Sequence, residues 1–402
     1  MDEQSDQFLG EVYPYTYATH NRFLDKLLDD KPLGIGYLVP FLEPESDLDE
    51  EYLKKLRKKI IDFRNDGGLF RIGTDKDAWG EQIPPANLRD LGYSLAILNK
   101  DGTVFAQDYV TRRAILNISG EDSFHLWMAN SFLQKKRNIS YDSKSFTGSY
   151  YDRESDATFA MFRYAKDPTI IKPLETIPFH KVVVGNYPRG FFKNKIVLIG
   201  SSYLSNSGDF IFTPFGKEDA KAPKLNVHAQ IIEALINKKT IFQLPDWITD
   251  VIAVLIAIFL SFVISRVQPA KGLAITMMIM VSIFLITYLS FILFGVWIKV
   301  SHLTLSVFVV YYIWVPFRAI GEYQTRYAIQ AESKMLKKVD KLKATFISLM
   351  SHDLKTPVAK IAGIADILKV QYENTSKQDE LLGNIINSTQ ELNNFITSIL
   401  DL

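Results

Sequence analysis

Between Asp246 and Phe317 the chain is almost free of charge, and three long apolar runs fill that stretch. A helix that crosses the hydrocarbon core of a bilayer needs about 20 predominantly apolar residues. The runs at 247–265, 272–294 and 298–317 meet that need, and 272–294 carries no charged residue at all. Buried helices of a soluble protein are the alternative. Three such runs within about 70 residues, joined by short hydrophilic breaks, argue against it. The chain is therefore read as a multidomain membrane protein with three transmembrane α-helices.

The joints set the direction of the spans. Arg266 and Lys271 lie between the first two runs, and Arg318, Arg326, Lys334, Lys337 and Lys338 follow the third. The joint between the second and third holds Lys299 alone. Lys and Arg favour the cytoplasmic side, which places residues 1–245 outside the cytoplasm and the C-terminal part inside. Trp247, Trp297 and Trp314 stand near the expected interfaces, and His302 near the outer end of a span is read as an interfacial imidazole without function. The expected location is the inner membrane of a bacterial cell, crossed several times.

Composition narrows the classes further. The 402 residues carry 46 Lys and Arg against 45 Asp and Glu, so no global charge points to nucleic acid. There is no cysteine, which removes disulfides, thiolate nucleophiles and cysteine-ligated zinc. The first residues, Met1-Asp2-Glu3-Gln4, do not form a signal peptide. An exported domain at 1–245 then implies that the chain begins inside a longer one.

Residues 1–245 read as mixed α/β. Asp47–Asn65, Glu121–Arg137 and Leu225–Asn237 have helical periodicity, with acids early and bases late in the first of them. Ser94–Leu98, Thr158–Tyr164, Lys181–Gly185 and Lys195–Ser201 read as short, largely apolar strands of a covered sheet. The order Lys195–Gly200, Ser201-Ser202, Ser207-Gly208-Asp209, Phe212-Thr213-Pro214 and Val227-His228-Ala229 resembles the second class of CHASE extracellular sensor domains, which precede three membrane spans. Upstream, Asp2-Glu3-Gln4-Ser5 resembles that family's strand end, and Tyr13-Pro14-Tyr15 with Ala18-Thr19-His20 its proline turn and following helix. Leu38 and Leu225-Asn226 depart from the pattern, where an Asp and Pro-Gly are usual. The resemblance implies an extracytoplasmic ligand of unknown identity.

Within this domain Asp209 and His228 are a candidate metal or ligand pair. The plainer reading has Asp209 anchoring a loop and His228 bonding locally at the start of its helix. Ser201 and Ser202 after a glycine-ended strand can cradle an anion or simply form a tight turn.

Residues 318–344 form an expected signalling helix or coiled-coil linker. Met335, Leu336, Val339, Leu342, Phe346 and Leu349 recur at three- and four-residue steps along it. The lysines on the other face are solvated or touch anionic lipid headgroups. Then comes Ser351-His352-Asp353-Leu354-Lys355-Thr356-Pro357, preceded by Phe346. This resembles the phosphoacceptor box of the dimerisation and histidine-phosphoacceptor domain of histidine kinases, here 345–402. A neutral imidazole nitrogen is a good nucleophile at physiological pH. The resemblance implies that His352 is phosphorylated, that Asp353 acts as its general base or orients it, and that Thr356 positions water for dephosphorylation of the partner. Pro357 should bend the helix.

A second amphipathic helix begins near Ser376, with Leu382, Ile385, Thr389, Leu392, Ile396 and Ile399 on one stripe. Two helices make an antiparallel hairpin, and two hairpins bury their stripes as a dimeric four-helix bundle. A homodimer is therefore expected. The resemblance also implies ATP with Mg2+ as phosphoryl source, bound by an ATP-binding domain that these residues do not contain, and a response regulator receiver domain as acceptor. The whole reads as a sensor histidine kinase of a two-component phosphorelay, truncated at both ends. A membrane receptor phosphorylated in trans, or a sensory subunit without kinase activity, is the alternative.

Overall fold

The computed structural model describes residues 1–77, 80–101, 108–168, 175–215, 221–371 and 376–400. It divides into two compact units, Met1–Val254 with Ile279–Thr304, and Leu255–Met278 with Leu305–Leu402.

In the first unit, local chemistry starts most of the helices. α1 (Glu3–Leu9) opens on Asp2, whose carboxylate accepts from the Ser5 N–H, and closes at Gly10 in the left-handed region. Asp2 to Ser5 thus begin a helix rather than end a strand. α2 (Tyr17–Asp29) is capped by Thr16, and β1 (Gly34–Leu38) follows. α3 (Asp47–Asn65) is capped by Ser46 and carries Asp47, Asp49 and Glu50 in its first turn, where the helix dipole favours acids. β2 (Leu69–Thr74), the hairpin of β3 (Lys76–Asp77) and β4 (Gly80–Glu81), α4 (Ala86–Arg89) and β5 (Tyr93–Leu95) come next. The expected strand at 94–98 shortens to β5.

β6 (Arg113–Ile118) turns into β7 (Glu121–Asp122), so α5 (Phe124–Arg137) starts later than its periodicity suggested, on the Ser123 cap. β8 (Tyr150–Asp152) and β9 (Ala157–Phe162) follow. The stretch expected as a strand at 181–185 is a helix, α6 (Phe179–Val183). Its valines suggested a strand, but Phe179, Val182 and Val183 fall at helical spacing and all three are buried. Pro178 supplies a φ of −54° at its start, and Gly185 at φ 74° lies just past its end. The unit continues with β10 (Ile196–Gly200), β11 (Phe210–Ile211), β12 (Ala222–Pro223), α7 (Lys224–Ile236) and β13 (Thr240–Gln243).

Two sheets result. One is parallel, in the order β10-β1-β2-β5. Its β1 strand alternates cleanly, with Ile35 and Tyr37 facing the core made with α2 and α3. Gly36 and Gly73 face α5 on the other side. A Cβ on Gly36 would stand 2.6 Å from Phe124 Cζ, so glycine there is what lets α5 lie close to the sheet. α5 and α7 form the middle layer, and the second core joins them to the antiparallel strands β6 and β9. The layers therefore run α2/α3, parallel sheet, α5/α7, antiparallel sheet.

Among the described residues, three helices are long and apolar enough to cross a membrane: α8 (Asp246–Ile264), α9 (Pro269–Phe294) and α10 (Val300–Gln371). Between α9 and α10 lies β14 (Val296–Trp297), which pairs in parallel with β13, with Phe242 N donating to Gly295 O and Leu244 N to Trp297 O at 2.9 Å each. β13 in turn pairs with β9. The joint between the second and third spans is thus a strand of the N-terminal domain's own sheet. At the same end Lys299 pairs with Asp246 at 2.7 Å, and His302 Nδ1 lies 2.8 Å from Asp250 Oδ1. The His302 imidazole, read from sequence as idle, bridges α10 to α8.

In the second unit α10 runs on through Pro316 and Pro357, and α11 (Ser376–Leu400) follows. Residues 401 and 402, assigned from sequence to the last domain, lie outside the described residues.

Phe124 has no exposed surface and contacts both β1 and β2. Phe124→Ala is expected to cost about 3–5 kcal/mol of stability, read as a lowered denaturation midpoint of the N-terminal domain. A loss under about 1 kcal/mol would contradict this packing.

Candidate functional site

His352 sits on α10 with its side chain 82% exposed. Its Nδ1 lies 3.3 Å from Asp353 Oδ1. An ionised carboxylate can only accept, so when this contact is a hydrogen bond the proton is on Nδ1 and the Nε2 lone pair is left free. Thr356 lies one turn on, its hydroxyl donating to His352 O at 3.2 Å. His352, Lys355, Thr356, Ala359 and Lys360 flank one open depression. The two lysines make that surface favourable to a phosphoryl group. Pro357 withdraws a main-chain donor from the carbonyl of Asp353, yet the helix continues to Gln371.

Around this surface the apolar positions divide into two sets. Ser351, Val358 and Ala365 on α10 are buried at seven-residue spacing, as are Thr389 and Ile396 on α11. Leu354, Ile361 and Ile364 on α10, with Ile385, Leu392 and Phe395 on α11, stay open.

A second site lies in the N-terminal domain. Leu38, Gly73, Thr74 and Gly200 end three parallel strands around a cavity of about 230 Å³, also walled by Asp209 and His228. Open α/β sheets place ligands at the carboxyl ends of their strands. The structure brings Asp209 and His228 to the same cavity in different roles. The Asp209 carboxylate accepts from Ser201 Oγ, Tyr203 N and Asn206 Nδ2, at 2.9–3.0 Å, which fixes the loop after β10 as the plainer reading held. The Ser202 N–H is used by Met1 O and the Ser201 hydroxyl by Asp209, so neither group is left to cradle an anion.

His228 does not bond locally. Its Nδ1 meets His125 Nε2 at 2.8 Å, across 103 residues of sequence, with the rings stacked. His125 was not found from sequence. The available signal was a polar imidazole on the apolar face of α5, between Phe124 and Leu126, which are both buried. Such a histidine needs a partner, but nothing local names it.

The chain belongs to the CHASE2 domain family, which matches residues 1–264, and the His Kinase A (phospho-acceptor) domain family matches residues 342–402. Fold and families together define a membrane sensor histidine kinase of the two-component class. No curated protein and no solved structure matches the chain.

His20, His125 and His228 are enclosed, and burial pushes their imidazoles below the ordinary range, His20 and His125 to about 3. The unfolded chain takes up protons near pKa ~6.5 that the folded domain excludes. Their contribution to stability is complete above pH ~6.5 and is lost progressively as pH falls below it, at up to ~1.4 kcal/mol per pH unit for each. The melting temperature of the N-terminal domain should therefore drop between about pH 7 and pH 5, and less steeply in His20→Phe. A flat profile over that range would contradict neutral burial.

Proposed function

We propose that the N-terminal domain lies outside the cytoplasm and that its state controls phosphorylation of His352. The observation that supports this most is the exposed His352 with Asp353 against its Nδ1. ATP with Mg2+, held by an ATP-binding domain outside these residues, supplies the γ-phosphoryl group. His352 Nε2 attacks phosphorus in line, a P–N bond forms as the bond to the ADP oxygen breaks, and Asp353 receives or shares the Nδ1 proton. The phosphoryl group then passes to an Asp of a response regulator receiver domain. Thr356, once its hydroxyl turns from its own helix, holds a water in line with the receiver's phospho-Asp. The open apolar positions on α10 and α11 pair with a second copy in a four-helix bundle, because a lone hairpin leaves them in water.

The path from sensor to His352 is short in structural terms. β13 holds β14, and β14 leads in three residues to α10, the helix that carries His352.

With an ATP-binding domain of this class fused after α11 or added in trans, the chain should take up acid-labile, alkali-stable phosphate, and His352→Gln should abolish it. Label surviving on that variant would place the acceptor elsewhere. Asp353→Asn should slow autophosphorylation by ~10²–10⁴. Thr356→Ala should spare autophosphorylation and lower phosphatase activity toward the receiver. The division of roles fails if Thr356→Ala cuts autophosphorylation as deeply as Asp353→Asn.

Orientation is tested separately. A reporter enzyme active only in the periplasm should work when inserted in the N-terminal domain of the membrane-inserted protein, and be silent after α11. The reverse pattern would invert the topology.

A further inference from the structure

The cavity at the ends of β1, β2 and β10 contains groups that the phosphoryl chemistry does not use. At about 230 Å³ it is smaller than the ~300–1,000 Å³ pockets that hold drug-sized molecules, and so suits a small metabolite.

The histidine pair decides what one wall presents. His125 Nε2 and His228 Nδ1 share a single proton at 2.8 Å. His125 Nδ1 is buried without a partner. If His228 donated, His125 would have to carry its own proton on that orphan nitrogen, and a buried unpaired N–H is costly. If His125 donates, the orphan is only a lone pair. The remaining His228 proton then sits on Nε2, which has no protein partner among the described residues. His228 is 6% exposed and lines the cavity. Its Nε2–H is therefore a donor at the cavity wall, on a side chain that is otherwise enclosed.

The neighbouring groups point the same way. Lys224 and Leu225, in the first turn of α7, line the cavity, and no side chain caps that turn. Its free N–H groups and the helix dipole favour a negative group. Lys224 Nζ stands at the rim, loosely paired with Asp75 at 3.9 Å. Asp209 is committed to its three donors, whereas Asp75, whose Oδ1 accepts from Lys76 N at 2.9 Å, keeps acceptor capacity for a ligand. One lysine beside two carboxylates leaves the lining with a net negative charge, which disfavours a phosphate dianion and favours a ligand that carries a positive or hydrogen-bond-donating group beside its single carboxylate.

We propose that this cavity binds a small monocarboxylic acid that also bears a hydroxyl or ammonium group. Its carboxylate is received by His228 Nε2–H, the first turn of α7 and Lys224, and its hydroxyl or ammonium by Asp75. This deepens the sensor reading, on which the ligand's role as a signal rests, while binding itself requires no kinase chemistry.

The test is calorimetric titration of the full chain in detergent with glycine, alanine, glycolate and lactate. Glycinamide, lactamide and inorganic phosphate serve as comparisons. At least one acid should bind, with its amide at least about 10-fold weaker, and Lys224→Met should weaken the acid by about 10- to 100-fold. His228→Leu should abolish binding. Lys224, at the rim and 32% exposed, provides the decisive variant if His228→Leu does not fold. Asp75→Asn should weaken the amino acids more than the hydroxy acids. The proposal is overturned if no acid binds, if amides or phosphate bind as well as the acids, or if Lys224→Met leaves affinity unchanged. Acid binding with no phosphorylation of His352, measured with an ATP-binding domain supplied in fusion or in trans, would count against the kinase reading alone.

Discussion

The bilayer imposes the constraint on which the rest depends. In hydrocarbon every backbone N–H and C=O must find its partner within the protein, so a span is a helix and a message crosses it as the motion of a helix. α10 meets this with one continuous element from Val300 to Gln371 that includes both a membrane-crossing length and the phosphoacceptor box. At its start it needs a grip on the sensor. Main-chain bonds from Phe242 and Leu244 to Gly295 and Trp297, with side-chain pairs at Lys299 and His302, provide it. Loose loops at this joint would dissipate a small displacement, whereas a sheet strand with paired amides is stiff enough to carry one.

The sensor domain uses the same economy of elements. α7 lines the cavity with its first turn, bonds α5 through His228, and ends three residues before β13. A ligand held at Lys224 and His228 would thus act on the helix that leads to the strand beside α10. Gly36 and Gly73 let α5 sit tightly on the parallel sheet, so the middle layer is not free to absorb the change by shifting inward.

How much of this was legible in the sequence follows from the range of each interaction. The spans declare themselves by apolar length alone, and the box around His352 by adjacent residues, because solvent exposure and a helical turn are local facts. The caps at Thr16, Ser46 and Ser123 are equally local. What failed was mostly non-local, the short helix α6 excepted. Val182 and Val183 look like a strand until Phe179 is seen to share their buried face. β14 is two residues long, too short for any period, and exists because β13 lies beside it. The cavity was half visible: Asp209 and His228 were singled out as a pair, but His125, Lys224 and Asp75 come from other parts of the chain, and only folding brings them together.

The pairing of β13 with β14 also bears on solubility. An open strand edge is a template for another chain, and proteins blunt or cover such edges. Here the edge of the antiparallel sheet is covered by residues that belong to the membrane hairpin. A sensor domain severed at Gln243 would expose the unpaired amide of Phe242 beside an apolar strand, an invitation to stack edge to edge with its own kind. In this protein the strand that covers that edge belongs to the joint between two membrane-crossing helices.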